Sequence, residues 1–189
     1  MLILAVICAL ALGWCTGGRL ARFEGAGLRW LALPILAFSC QQAMNALAGA
    51  VALPFEAWAW GPLTLSYGLI FLFLWRNRHL KKTAVCMGLG GLANLAVIAA
   101  NGWRMPVARW AVDLLSPQGA AALLAGDIPM YRAAGEGTRL LLLGDVLYCP
   151  LPLVGGLASV GDVVLAVGVF FCLMACMSPD RLPEWMKSG

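Results

Sequence analysis

Two carboxylates, Asp145 and Asp162, stand inside the apolar run TRLLLLGDVLYCPLPLVGGLASVGDVVLAVGVFFCLMACM of residues 138–177. Ionisable groups in membrane-embedded sequence usually face a protein interior or a watery cavity, so they mark function by default. Each aspartate follows a glycine, GDVL at Gly144 and GDVV at Gly161, almost as a quasi-repeat. The competing role is structural. Ser159-x-x-Asp162 ahead of an apolar run has capping-box form, in which the aspartate accepts backbone N–H bonds and complements the helix dipole. No comparable pattern precedes Asp145, and its segment breaks at Pro150. A ligand-binding reading joins both aspartates to Asn101 and Arg104 near the outer membrane surface, where broken helices line polar cavities. Such a cluster suits a cation, a proton or a polar head group. Arg104 would pair an aspartate or clasp an anion there, or else simply snorkel into the head-group layer.

Other chemistry is thin. The single histidine, His79, lies in a basic loop, and the seven cysteines lie in or against apolar segments without a C-x-x-C pair. They read as small lipophilic core residues, so no metal site, disulfide framework or cofactor is expected. Cys172 and Cys176 share a helix face near Met174 and Met177, a soft-metal pattern for which packing is the stronger explanation. Gly88-x-Gly90-Gly91 lies within an apolar helix with no preceding strand, so it is no nucleotide fingerprint. With no Ser-His or Cys-His pair on the outer side, only an aspartate acid or base would serve catalysis.

These residues must be positioned by membrane helices. The 189-residue chain is 62% hydrophobic and 12% charged, with a mean hydropathy of +0.85 and a net charge of +4. So much apolar surface exceeds what one soluble core of this size would bury, so the expectation is an all-α, polytopic membrane helix bundle. Five transmembrane helices are expected at about residues 1–18, 31–53, 58–75, 83–100 and 160–177. The first is apolar from its start with no basic leader, the reverse of a secretory signal, and reads as a retained span. Gln41 and Asn45 share a face of the second and suit interhelical hydrogen bonding. In the fourth, Gly88, Gly90, Gly91 and Asn94 leave room for close helix packing. Trp58 and Trp60 read as interfacial anchors, with Glu56 beside them solvated. Asn101-Gly102 before Pro106 suits a helix end.

Residues 104–138 read as an outer insert of two short amphipathic helices, the second capped by Ser116, begun by Pro117 and stopped at Gly126. The stretch 139–153 is too short for a span and carries Pro150 and Pro152, so it reads as re-entrant or interfacial. Arg19, Arg22, Arg29, the RNRHLKK cluster, Arg181 and Lys187 then fall inside, against Arg104, Arg109, Arg132 and Arg139 outside. That bias places the amino end outside and the carboxyl end inside a plasma (inner) membrane.

The pieces N-G-W-R-M-P (Asn101 to Pro106), L-G-D (Leu143 to Asp145) and S-V-G-D (Ser159 to Asp162) resemble the signatures of an uncharacterised family of small bacterial multi-span membrane proteins. The resemblance spans most of the chain and implies a fold and an ordered set of polar motifs, but no activity. Trp103 departs from it, standing where a smaller residue is expected. Three functions follow, in order. The first is binding, or binding and transporting, a small ligand, ion or lipid head group through Asn101, Arg104, Asp145 and Asp162. Second comes an accessory subunit that docks other membrane subunits through residues 104–138. An aspartate-dependent membrane enzyme acting on a lipid-linked substrate is third. Lipids are the expected partners, and nucleic acid is not.

Overall fold

The computed structural model describes residues 1–51, 53–151 and 156–187. Five longer helices form a bundle: α1 (Leu2–Cys15), α2 (Ala32–Leu47), α4 (Trp60–Arg76), α5 (Lys81–Ala100) and α8 (Val160–Met177). The short α3 (Phe55–Trp58) leads into α4, and α9 (Glu184–Lys187) ends the described chain. Helix α8 packs most extensively on α5 and also on α1, while α2 packs on α4 and α4 reaches α5. The order across the bundle is therefore α1, α8, α5, α4, α2.

Glycine sets the closeness of the central pair. A Cβ on Gly90 would lie 2.5 Å from Gly161 O, and one on Gly168 would lie 2.5 Å from Met87 Cγ. Small residues at a helix contact let backbones approach and gain dispersion contacts without a clash. Elsewhere Gln41 donates to Ser66 Oγ across α2 and α4 at 2.9 Å. Beyond α1, Arg22 grips Asp180 with both terminal nitrogens at 2.8 and 2.9 Å, tying the turn at Leu20–Ala26 to the chain beyond α8.

The expectation of an all-α protein with five spans is corrected in two respects. First, the segment between α5 and α8 builds a four-stranded sheet, ordered β2-β1-β3-β4, from β1 (Met105–Val107), β2 (Tyr131–Ala133), β3 (Asp145–Cys149) and β4 (Gly156–Ser159). Strand β1 runs parallel to β2 and β3, and β3 runs antiparallel to β4. The re-entrant stretch 139–153 is thus in its described part a 3-10 turn, Leu141–Leu143, followed by a strand, while Pro152 and Leu153 lie outside the described residues. Two further helices, α6 (Arg109–Val112) and α7 (Pro117–Ala125), cover the sheet. Ser116 Oγ accepts from Gly119 N at 3.1 Å to cap α7, which closes on Gly126 at φ 81°.

Second, among the described residues α5 and α8 are long and apolar enough to cross a membrane, and counting α1 with the turn after it, bent by 104°, makes three. At 1.5 Å per residue the 14 to 17 residues of α1, α2 and α4 reach only roughly 21–26 Å, against about 30 Å of hydrocarbon. Composition made these stretches look like spans. The breaks after Cys15 and Leu47 set the length of α1 and α2, while α4 is parted from the single turn of α3 by Ala59 alone.

Candidate functional site

The three polar motifs converge where α5 ends and α8 begins. Asn101, 3% exposed, sits one residue past α5. Its Nδ2 donates to Val97 O at 2.7 Å and Arg139 O at 2.8 Å, and its Oδ1 accepts from Arg139 N at 2.9 Å. Gly102 then turns the chain at φ 68°, and Trp103 N closes the helix on Ile98 O at 2.9 Å. That six-to-one bond with a left-handed glycine is a Schellman-type ending. Trp103 is itself left-handed, at φ 64°. The chain leaves it as β1.

Pro106 lies mid-strand, where a missing N–H is normally costly. Met105 N reaches Met130 O on one side, and on the other the N–H of Ala108 meets Asp145 O at 3.0 Å. Alternation aims the missing Pro106 N–H at the chain that precedes β3, so no ladder bond is lost. Gly144 permits the approach, for a Cβ there would stand 2.6 Å from Pro106 O. Asp145 consequently sits at the middle of the sheet, opposite Val107 on one side and Ser159 on the other.

Ser159 caps α8 in a full capping box. Its Oγ accepts from Asp162 N at 2.9 Å, and Asp162 Oδ2 accepts from Ser159 N at 3.1 Å. Asn94 of α5 completes the network, donating to Asp162 Oδ1 at 2.7 Å and accepting from Ser159 Oγ at 2.8 Å. Both oxygens of Asp162 are occupied.

Arg104, with its side chain 16% exposed, is paired with Glu56 and not with an aspartate. Its Nε lies 3.0 Å from Glu56 Oε1 without the alignment of a hydrogen bond, and its Cζ stands 5.3 Å from the Phe55 ring centre. Glu56 is thereby an ion-pair partner and not merely solvated.

Asp145 differs from the other three. It is 4% exposed, and its carboxylate has no side-chain or backbone hydrogen-bond donor among the described residues. It lines a cavity of about 260 Å³ whose walls are Val107, Leu115, Leu123, Ile128 and Leu157, with the exposed Tyr131 at its edge. Burial pushes the Asp145 carboxyl up to about 7, and the charge of Asp162 adds to the shift. A group in this state can donate a hydrogen bond when protonated or neutralise a cation when ionised. Among the described residues no group of three or more His, Cys, Asp or Glu is placed to hold a metal ion.

Sequence reasoning named Asp145 but missed its surroundings. Tyr131 and Leu157 come from short strands, and Ile128 from a turn-rich stretch, with no periodic signal. Asn94 was visible only as a small residue for packing, because its partners lie more than 60 positions away.

Residues 26–174 match a protein family described as a family of unknown function, DUF5317, and all three motifs fall within that range. No curated protein and no solved structure matches the chain.

Proposed function

The chain belongs to the DUF5317 family, whose description assigns no activity, and from its residues we propose a multi-pass membrane protein that binds a small ligand in the cavity at Asp145. The observation that carries this reading is that the carboxylate of Asp145, a residue only 4% exposed, accepts no hydrogen bond among the described residues and opens on an apolar cavity. A carboxyl held at the wall of an apolar cavity gains by meeting a donor, because its desolvation is otherwise only partly compensated. A ligand bringing one donor or one cationic group would satisfy Asp145 while its apolar body filled the space between Leu115, Leu123 and Leu157. The volume lies just below the usual range for small-molecule sites, about 300–1,000 Å³, so the ligand is small. Asn101, Arg104 and Asp162 then serve by holding the frame, each through the partners already described.

Membrane embedding is supported by the two long apolar helices and by large apolar side chains left exposed around the bundle. Ile35, Leu36 and Phe38 of α2, Leu65 of α4 and Leu89 of α5 are between 54% and 66% exposed. A soluble protein seldom leaves so much apolar surface in water. The bias of Lys and Arg toward the α4–α5 turn supports placing that end in the cytoplasm and the sheet outside a plasma membrane.

Native mass spectrometry of the protein released in mild detergent tests the site. We expect a small non-lipid adduct on the wild type, lost in Leu157→Trp, which fills the cavity, and weakened in Asp145→Asn. No adduct, or one indifferent to both substitutions, would reject the reading. The same spectra address an accessory role, favoured by Trp110, Leu124 and Leu142, which stand 54%, 69% and 81% exposed on the sheet end. That role requires a stoichiometric protein partner that dissociates on Leu142→Asp and stays on Leu157→Trp.

A further inference from the structure

The bundle end away from the sheet carries a second cavity, of about 730 Å³, lined by Arg29, Trp30, Trp75, Arg76, Arg78 and His79 together with the glycine turn at residues 25–27. Its walls are held in place by Asn77, 2% exposed, directly after α4. Asn77 Nδ2 donates to Arg29 O at 2.8 Å and Phe73 O at 2.9 Å, and its Oδ1 accepts from Arg29 N at 2.8 Å. His79 Nε2 lies 3.1 Å from Ala26 O and holds the other side of the turn. The guanidinium of Arg76 stands 5.5 Å from the Trp30 ring centre, and that of Arg78 stands 5.5 Å from the ring of Trp75.

Topology requires basic residues at this end, but it does not require them to surround a cavity or to be stacked on indoles. Stacking on a ring face leaves the in-plane N–H donors of a guanidinium free to point elsewhere. Among the described residues none of the three arginines is paired with a carboxylate, since the ion pairs there are Arg22 with Asp180, Arg104 with Glu56 and Lys187 with Glu184. The guanidinium groups of Arg76 and Arg78 are held beside this opening, which Arg29 also lines, and guanidinium forks match tetrahedral oxyanions. Trp30 and Trp75, 51% and 61% exposed at the rim, are the side chains that settle at a membrane–water boundary.

We propose that this basic, tryptophan-rimmed cavity binds a phosphate ester anion through Arg29, Arg76 and Arg78. It is independent of the Asp145 cavity, from which α5 separates it by the roughly 30 Å of a 20-residue helix. The phosphate comes either from an acidic phospholipid head group or from a soluble ester.

The full chain in detergent, titrated with phosphatidylglycerol and with phosphatidylcholine and read by native mass spectrometry, supplies the first arm. Titration calorimetry with glycerol 3-phosphate supplies the second. Retention of phosphatidylglycerol over phosphatidylcholine, falling roughly tenfold in Arg76→Gln/Arg78→Gln, supports a lipid source, since tenfold is about the loss of one charge-assisted hydrogen bond. Binding of glycerol 3-phosphate with the same sensitivity and no lipid preference supports a soluble one. Arg29→Gln, on an exposed turn, repeats the test should the double variant fail to fold. The proposal is overturned if neither compound binds, or if the preference survives these substitutions and is instead removed by Lys81→Gln/Lys82→Gln.

Discussion

Asp145 holds a proton in the folded protein up to about pH 7, whereas in the unfolded chain the same carboxyl ionises near its ordinary 3.8. Between those values the native state binds more protons than the unfolded state, so stability falls as pH rises. The fall is about 1.4 kcal/mol per pH unit, roughly 4 kcal/mol over the whole interval. The contribution is fully present below about pH 4 and gone above about pH 7. Thermal melts of the detergent-solubilised protein should therefore show a midpoint that declines across that window, and Asp145→Asn should flatten the decline and melt higher than wild type at pH 8. A wild-type profile that rises or stays level across the same window would show that Asp145 is solvated or paired. Ligand binding reads the same group from the other side. A cationic ligand favours the ionised carboxylate, so its binding releases a proton and tightens as pH rises through about 7.

At the scale of elements, two helices end on the same device. Asn77 after α4 and Asn101 after α5 each donate to the carbonyl four residues back and grip both backbone groups of one arginine, Arg29 and Arg139. The α5–α8 pair depends instead on missing side chains. A Cβ on Gly161 would overlap Asn94 Oδ1 and stand 2.8 Å from Gly90 O, displacing the amide that completes the α8 cap. Gly161→Ala should cost on the order of 2–4 kcal/mol by overpacking and by unpairing a buried amide. Gly88 lies on the same helix as Gly90 with its nearest neighbour, Leu74, 4.0 Å from a Cβ, so Gly88→Ala should be neutral or slightly stabilising. Denaturant unfolding of the two variants checks the contrast, and equal effects would show that the close approach carries no stability. Half of this joint was legible in the sequence. Ser159-x-x-Asp162 is a local pattern, and the glycines of α5 announce close packing, yet neither identifies the partner helix. The strands were illegible for a physical reason. They are three to five residues long, β1 contains a proline, and β1 to β3 pair in parallel across connections of more than 20 residues, so no alternation or hairpin signal marks them.

Over the whole molecule, polarity is divided between the two ends of the bundle. The sheet end buries one acidic group in an apolar cavity, and the opposite end exposes arginines around an open one. Composition alone read the apolar content as five spans, because hydropathy measures what a stretch tolerates and not where its helix stops. Two helices have the needed length, and the shorter α1, α2 and α4 extend the apolar flank beside them. A 16-residue helix can still lie in the hydrocarbon if the bilayer thins or flanking residues snorkel, at fractions of a kcal/mol per Å of mismatch. The end-to-end division of charge has one consequence for orientation. Basic residues resist translocation, so the α4–α5 turn, with Arg76, Arg78, Lys81 and Lys82 within seven positions, should remain inside while the sheet is exported. A membrane-impermeant maleimide applied to intact cells should label Arg132→Cys, exposed on β2, above the background of the native thiols, and should leave Arg78→Cys at that background until the membrane is permeabilised. The opposite pattern would invert the protein and put the arginine cavity outside. Equal labelling of both positions before permeabilisation would mean that the bundle does not separate its ends across a bilayer, and the exposed faces of α2 and α4 would then have to be covered by protein and not by lipid.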